Sequence, residues 1–265
     1  MSSAIDLKKI VDKFLSLTSK DELWAQALQA ITLHMFASYA KKSFQEFNLE
    51  PVLTTLIEKI KDTKITFSKD LSPLTGMSVI DIWYVLKERE IFYPVPNKEE
   101  LKAYLENLLL VEKEVKYAWL LGEMAYSLGL DVRLEPLKRD QKFYKQHLSS
   151  IDYIYWLTHR IFLGTRYLQR PLPSFGFGSV ISELENLSKL VIEQESPDIA
   201  AEVAICLALS NKKDTMDYEY LLSIVIDNLS EDGSVSDPLL EDTEYNLAHS
   251  TAAAMIALAD LVENS

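Results

Sequence analysis

Hydrophobic residues recur along this chain with the spacing of helices. In residues 4–18 the apolar side chains fall on one face: Ile5, Ile10, Val11, Phe14 and Leu15. Later segments, such as SVIDIWYVL and IAAEVAICLAL, are apolar nearly all round, which is typical of helices covered on most sides. The pattern predicts twelve helices, alternately amphipathic and nearly all-apolar, at 4–18, from a Ser19 N-cap to Phe47, 51–62, 78–90, 97–110, 112–128, 141–149, 150–165, 179–194, 197–209, 215–229 and 244–262.

Local signals set several of these boundaries. Ser19 followed three residues later by Glu22 has the pattern of a capping box. Asn97 precedes two acids and is predicted as an N-cap, and Gly129 is predicted as a C-terminal stop. The polar segment 64–74 contains Pro73 and is predicted as a loop.

One loop differs from the others in composition. Residues 171–178 (PLPSFGFG) form the only stretch rich in both proline and glycine. Its aromatic residues favour a packed loop, or a lid over a site, rather than a domain boundary. We therefore expect a single all-α domain over residues 1–265.

Each of six apolar helical segments carries one polar, titratable residue at a near-constant interval. Subtraction of their residue numbers gives gaps of 47, 42, 36, 43 and 47 residues. This is about the length of one helix hairpin. A buried carboxylate or imidazole needs a partner, and residues that occur once per hairpin would meet at the axis of a closed ring. The six are His34, Asp81, Glu123, His159, Glu202 and His249.

The period and the alternation of helix types together predict an (α/α)6 toroid of six helix hairpins. In this fold the nearly all-apolar helices are the inner ones and the amphipathic helices are the outer ones. An open α-solenoid is the alternative. The sequence pattern of tetratricopeptide repeats is absent, and their period of about 34 residues is shorter than these gaps.

Composition narrows the range of functions. The chain has 265 residues, and only 7 glycines and 9 prolines punctuate it, which agrees with an all-α protein. Its formal net charge of −13 disfavours nucleic-acid binding. The single cysteine, Cys206, lies in an apolar run and is interpreted as a small buried hydrophobe. Without a signal peptide, a membrane-spanning stretch or a disulfide framework, a cytoplasmic location is expected.

The C-terminal region has the most specific motif. Asp232-Gly233-Ser234 opens a turn, and a helix follows that contains His249-Ser250-Thr251 before a small-residue stretch, AAAMIALADL. This region resembles the end of the α/α-toroid superfamily, which includes terpenoid cyclases and protein prenyltransferase β-subunits. The Thr158-His159 step also resembles a motif of uncharacterised bacterial helical proteins. The resemblance implies the toroid fold, a role for His249 in binding zinc, and a tailoring role in bacterial secondary metabolism.

The chain departs from these families at their functional positions. No Asp-x-Cys pair completes a prenyltransferase zinc site, and no DxDD or DDxxD cluster is present for terpene ionisation. Val235 replaces the usual aromatic residue of the turn. The resemblance therefore does not extend to prenyl transfer.

The candidate site combines His159, Glu202 and His249. Glu202 is flanked by small and apolar residues, where a charge is costly unless it is paired. In a closed ring Glu202 would lie on the inner helix between those of the two histidines. Two histidines and one carboxylate match a catalytic zinc site or a non-haem iron site. The alternative for each histidine is a core residue that is hydrogen-bonded to the backbone.

Asp81 and Glu123 offer a metal-free alternative. Carboxylates in an apolar cavity have raised pKa values and act as general acids. (α/α)6 barrels often use two carboxylates for glycoside chemistry. Nearby aromatics would stack on sugars, or else belong to the core: Trp83, Tyr84, Trp119, Tyr126, Tyr155 and Trp156.

These observations predict an enzyme with a polar axial cavity that acts on a small or peptide-like, partly apolar substrate. His159, Glu202 and His249 would bind zinc or iron or act as an acid/base set, and Asp81 and Glu123 would supply further polar contacts. The alternative is a non-catalytic helical scaffold whose acidic surface binds a basic partner. Walker A, GxGxxG, GxSxG, CxxC and HExxH patterns are all absent.

Overall fold

The computed structural model describes residues 5–63, 66–94, 97–111, 115–132, 134–135 and 141–263. In these ranges the secondary structure is helical except for one isolated antiparallel bridge between Leu229 and Val235. The predicted all-α class is therefore confirmed for the described part of the chain. None of the described helices has both the length and the apolar character needed to cross a membrane.

The described residues form thirteen helices, which we number in chain order. They are α1 (Leu7–Leu17), α2 (Leu23–Tyr39), α3 (Lys41–Glu46), α4 (Glu50–Ile60), α5 (Pro73–Glu88), α6 (Lys98–Leu108), α7 (Val115–Ser127), α8 (Gln141–His147), α9 (Ser150–Gly164), α10 (Gly178–Gln194), α11 (Pro197–Leu209), α12 (Met216–Asp227) and α13 (Glu244–Glu263). The predicted start of the sixth helix, at residue 112, lies outside the described residues.

The predicted helix from Ser19 to Phe47 differs from the structure at its start and in its middle. It begins at Leu23, and the Ser19 hydroxyl donates instead to the Ser16 carbonyl at the end of α1. The helix is also interrupted at Ala40, whose φ of −123° and ψ of 59° are not helical. The capping-box prediction for Ser19 is thus wrong, because the hydroxyl already has a partner in the preceding turn.

The start of α5 is also earlier than predicted. Ser72 is its N-cap and accepts a hydrogen bond from the Thr75 amide at 3.2 Å. Pro73, predicted to lie in a loop, occupies the first turn of α5, where a backbone N–H would have no partner within the helix and its absence costs nothing. By contrast, Asn97 does cap α6 through the amides of Glu99 and Glu100, as predicted.

The helices group into two compact units, and helices α2 and α9 contribute to both. Unit 1 comprises Met1–Lys20, Met35–Glu50 and Arg160–Ser265, and unit 2 comprises Asp21–His34 and Pro51–His159. The expectation of one domain over residues 1–265 stays a prediction.

In unit 1 the most apolar helices form the centre of the packing. Helix α11 packs against α10, α12 and α13, and α13 also packs against α1, α3 and α12. The start of α11 contacts α13 at His249, and Lys213, just after its end, pairs with Asp260 near the end of α13. Helices α11 and α13 therefore run parallel. Their many alanines allow close approach, since small side chains occupy little space between the helix axes.

In unit 2 the packing is richer in aromatic residues. Helix α7 packs against α5 and α6. The Trp119 ring lies 5.4 Å from the Trp156 ring, which in turn stacks on Tyr144 at 4.8 Å. Trp83, Tyr84, Trp119 and Trp156 are all buried. These four aromatics belong to the core of the unit, whereas Tyr126 is exposed.

The loop at 171–178 has one packed and one exposed aromatic residue. The Phe177 ring lies against Gly164, where an added Cβ would come within 2.3 Å of it. Phe175 is 93% exposed. The two aromatic side chains of this loop therefore differ in their surroundings, and the alternatives of a packed loop and a lid over a site stay predictions.

Candidate metal centre

The first turn of α11 positions two carboxylates in unit 1. Ser196 is the N-cap and accepts from the Ile199 amide, and Pro197 follows it at the first helical position. Asp198 and Glu202 are four residues apart, so their side chains lie on the same face of the helix. The positive end of the helix dipole favours a carboxylate at Asp198.

Helix α13 brings His249 to these carboxylates. Thr251, two residues further on, donates to the Leu247 carbonyl at 2.7 Å and accepts from the Val235 amide at 3.1 Å. The turn that carries Val235 is thus tied to the same part of α13 as His249.

Each imidazole nitrogen of His249 faces a carboxylate. Nδ1 lies 2.8 Å from Asp198 Oδ1, and Nε2 lies 4.0 Å from Glu202 Oε1. One ligand atom from each of the three residues can be chosen so that all three lie within 4.8 Å of one another. Among the described residues, these three are the acidic, histidine or cysteine side chains whose ligand atoms lie close enough together to hold a metal ion.

Burial differs among the three side chains. Asp198 has no exposed side-chain surface and Glu202 has 5%, whereas 26% of His249 is exposed. The imidazole therefore forms the accessible edge of the cluster. The Tyr245 ring lies one helical turn before it, with ring centroids 5.8 Å apart.

The hydrogen bond to Asp198 selects the tautomer of His249. A carboxylate only accepts hydrogen bonds, so a neutral imidazole beside Asp198 carries its proton on Nδ1. The lone pair is then on Nε2, the nitrogen that faces Glu202. A carboxylate that holds the far nitrogen of a ligating histidine in this way is a common feature of zinc sites.

The donor set fits a transition metal after a small adjustment. Two ligands of a tetrahedral zinc ion at about 2.0–2.1 Å from it are about 3.3 Å apart. Nε2 of His249 and Oε1 of Glu202 would therefore approach each other by about 0.7 Å from their separation of 4.0 Å. Two buried carboxylates would also offset the charge of a divalent ion.

Two of the three predicted ligands, Glu202 and His249, are brought together here, with Asp198 as a new third member. His159 belongs to unit 2, where its Nδ1 lies 2.9 Å from the Tyr155 carbonyl oxygen and 3.3 Å from the Thr158 hydroxyl. These are the contacts expected of a histidine held by the backbone.

The remaining predicted residues also lie in unit 2. Asp81 and Glu123 are half-buried on α5 and α7, two helices that pack against each other. His34 is buried, and its ring meets Tyr84 edge-on at 6.4 Å. Burial, with the charge of Arg89 as a second cause, lowers the pKa of His34 to about 4.

Sequence reasoning missed Asp198, although a signal was present. Asp198 lies four residues before Glu202, on the same helix face, and just after the Ser-Pro helix start. Cys206 continues the same face by another step, and burial together with the Glu202 charge raises the pKa of its thiol well above the usual value. This agrees with the interpretation of Cys206 as an unreactive buried residue.

Comparison of the chain with protein-family models, curated proteins and solved structures gives no match.

Proposed function

We propose that this protein is a metal-dependent enzyme whose ion is held by Glu202 and by Nε2 of His249, with Asp198 holding the ring through Nδ1. The single observation that carries the proposal is the position of His249 between two buried carboxylates, 2.8 Å from one and 4.0 Å from the other. Zinc and iron are the ions proposed, since both accept imidazole and carboxylate ligands.

Two protein ligands leave several coordination positions open. When bound, such an ion supplies a Lewis acid and lowers the pKa of a bound water, which suits hydrolysis. Asp198 keeps the imidazole in the tautomer that presents a lone pair, and Glu202 supplies a negative charge in an apolar setting. The exposed edge of His249, beside Tyr245, is the side from which a substrate would arrive.

The proposed substrate class is supported by the residues of the two helices that carry the cluster. Helices α11 and α13 present alanines and aliphatic residues next to the polar groups, and Tyr245 adds an aromatic ring. A small or peptide-like, partly apolar substrate matches such a site. The tailoring role in bacterial secondary metabolism, and a cytoplasmic location, remain part of this proposal.

The (α/α)6 toroid is proposed as the finer architecture. Its support lies within unit 1, where two nearly all-apolar helices, α11 and α13, run parallel. Helices α10 and α12 pack on α11 and on each other, and α12 also packs on α13. A toroid places its inner helices parallel to one another with outer helices behind them.

The proposal is tested with a panel of chromogenic esters and peptide anilides. The chelated protein is assayed, then reconstituted with Zn²⁺ or Fe²⁺ and assayed again, with His249→Gln treated identically and His147→Gln as control. His147 belongs to unit 2, is exposed and stacks on Phe143. Metal-dependent turnover that is lost only in His249→Gln supports the proposal, and equal turnover by His249→Gln contradicts it.

A second candidate, the acidic helical scaffold, is favoured by one feature of the same site. The hydrogen bond between Asp198 and His249 joins α11 to α13 and can fix their register without any chemistry. In that case His249→Gln lowers the stability of the protein while metal binding is absent from the wild type as well.

A further inference from the structure

A third carboxylate, Asp237, lies behind the cluster in the loop between α12 and α13. It is 7% exposed. Its Oδ2 accepts from the Ser196 hydroxyl and, at 3.2 Å, from the Asp198 amide. Its Oδ1 accepts from the Leu239 amide at 2.8 Å. Asp237 therefore caps the start of α11 from outside the helix, in addition to the cap that Ser196 provides.

Asp198 of α11 is held at both its backbone and its side chain. The backbone amide of Asp198 is held by Asp237, and its carboxylate lies 2.8 Å from His249 Nδ1. Since Asp198 is in the first turn, where helices fray, the direction of its side chain depends on what holds that turn. Asp237 supplies a buried, charge-assisted acceptor for this purpose.

The loop that carries Asp237 also contacts α13, the helix that carries His249. The Val235 amide donates to Thr251 on α13, two residues beyond His249. The turn before it is closed by the bond from the Ser230 amide to the Ser234 carbonyl at 2.9 Å. One short segment, residues 230–239, thus contacts α11 beside Asp198 and α13 beside His249.

We propose that Asp237 is a positioning residue: by capping α11 it holds the Asp198 carboxylate on Nδ1 of His249 and so keeps the lone pair of Nε2 toward Glu202. This inference rests on the proposed function, because it assigns Asp237 a role in the same metal centre. Asp237 touches neither the proposed ion nor a substrate; it acts through Asp198.

Asp237→Asn tests this role most directly. A carboxylate has two acceptor oxygens, but a carboxamide has one, so asparagine cannot accept from both Asp198 and Leu239 in this geometry. Its shape is nearly unchanged, which limits the loss of packing. Ser196→Ala is the second variant, since it removes one of the donors to the same oxygen and serves if Asp237→Asn fails to fold.

Asp232→Asn is the matched control. Asp232 lies five residues earlier in the same loop and bonds to Ser234 and Lys13, on the side of α1. These contacts stabilise the turn, whereas the hydrogen bonds of this loop to Ser196 and Asp198 are made by Asp237. A general weakening of the loop would show equally in both variants.

The readout is the tautomer of His249 in metal-free protein labelled with ¹⁵N-histidine, measured at pH 8 by long-range ¹H–¹⁵N correlation. The chain has four histidines, so His249 is assigned by its absence in His249→Gln. We expect the Nδ1–H form to dominate in the wild type and in Asp232→Asn, and to give way to a mixture with the Nε2–H form in Asp237→Asn. An unchanged tautomer in both Asp237→Asn and Ser196→Ala would overturn the inference.

Zinc affinity, measured by competition with a chromogenic chelator, is the second readout. Loss of a residue that orients a ligand typically weakens binding by about 10–100-fold, and we expect Asp237→Asn to fall in this range while Asp232→Asn does not. A tautomer shift without zinc binding by the wild type would sink the proposed function and leave the positioning role intact. Tight zinc binding that is unaffected by Asp237→Asn would overturn the positioning role and leave the proposed function intact.

Discussion

Nδ1 of His249 lies 2.8 Å from Oδ1 of Asp198, and the two side chains differ in their access to water. Asp198 has no exposed side-chain surface, whereas His249 has 26%. The contact therefore joins a carboxylate that depends on the protein for its hydrogen bonds to an imidazole that is partly hydrated. This asymmetry governs what happens when either partner is removed.

Removing the histidine should cost more stability than removing the aspartate. His249→Ala leaves a fully buried carboxylate with one partner fewer, and we expect the free energy of unfolding to fall by about 2–3 kcal/mol. Asp198→Ala leaves an imidazole that water can reach, and about 1 kcal/mol is expected. Urea denaturation in the presence of chelator measures both. His147→Ala, at an exposed site, should stay within about 0.5 kcal/mol of the wild type, and the opposite order for the two variants would contradict this description of the pair.

His34 should make the protein less stable in mild acid. Its pKa is lowered to about 4 in the folded protein, from 6.5 in the unfolded chain. Below pH 6.5 the unfolded chain binds the proton first, so stability is lost as the pH falls from 6.5 toward 4. Protonation of His34 in the unfolded chain lowers the free energy of unfolding by about 2 kcal/mol at pH 5 and about 3 kcal/mol at pH 4, relative to neutral pH.

The measurement is urea denaturation at pH 8 and at pH 5 for the wild type and His34→Gln. The difference in stability between the two pH values should be about 2 kcal/mol smaller in His34→Gln. Carboxylates that titrate in the same range contribute equally to both proteins and cancel in the comparison. An identical pH dependence would show that His34 is not held neutral.

Gly233 should be intolerant of any side chain. Its φ is +90°, and an added Cβ would lie 2.7 Å from the Lys9 carbonyl oxygen in α1. Gly176 has a similar φ of +88° but open space around the added Cβ, which makes Gly176→Ala a matched control for backbone strain alone. We expect about 1 kcal/mol of destabilisation for Gly176→Ala and clearly more for Gly233→Ala. Equal effects in thermal unfolding would mean that the turn is not pressed against α1.

Much of the fold was accessible from the sequence because its local signals are strong. Helix boundaries such as the Asn97 cap follow from side chains that bond within three residues. The errors arose where one residue has two plausible partners. Ser19 donates to the preceding Ser16 carbonyl instead of capping the next helix, and Pro73 lies in the first turn of α5 instead of in a loop.

The site was only partly accessible, for a different reason. Glu202 and His249 stood out as polar residues in apolar helices. Asp198 did not, because an acid in the first turn of a helix is already accounted for by the dipole. Asp237 was hidden in a turn motif, and its role depends on contacts with Ser196 and Asp198, about 40 residues earlier in the chain. Spacing within one helix could have found Asp198; nothing local could have found Asp237.

The central claim is that Glu202 and His249 hold a metal ion, and elemental analysis by mass spectrometry tests it most directly. The protein is purified without a histidine tag or added chelator, alongside Glu202→Gln, His249→Gln and His159→Gln. We predict about one equivalent of zinc or iron in the wild type, loss of the metal in Glu202→Gln and His249→Gln, and retention of the metal in His159→Gln. A wild-type protein that carries no metal and binds none when zinc or ferrous iron is supplied would contradict the claim.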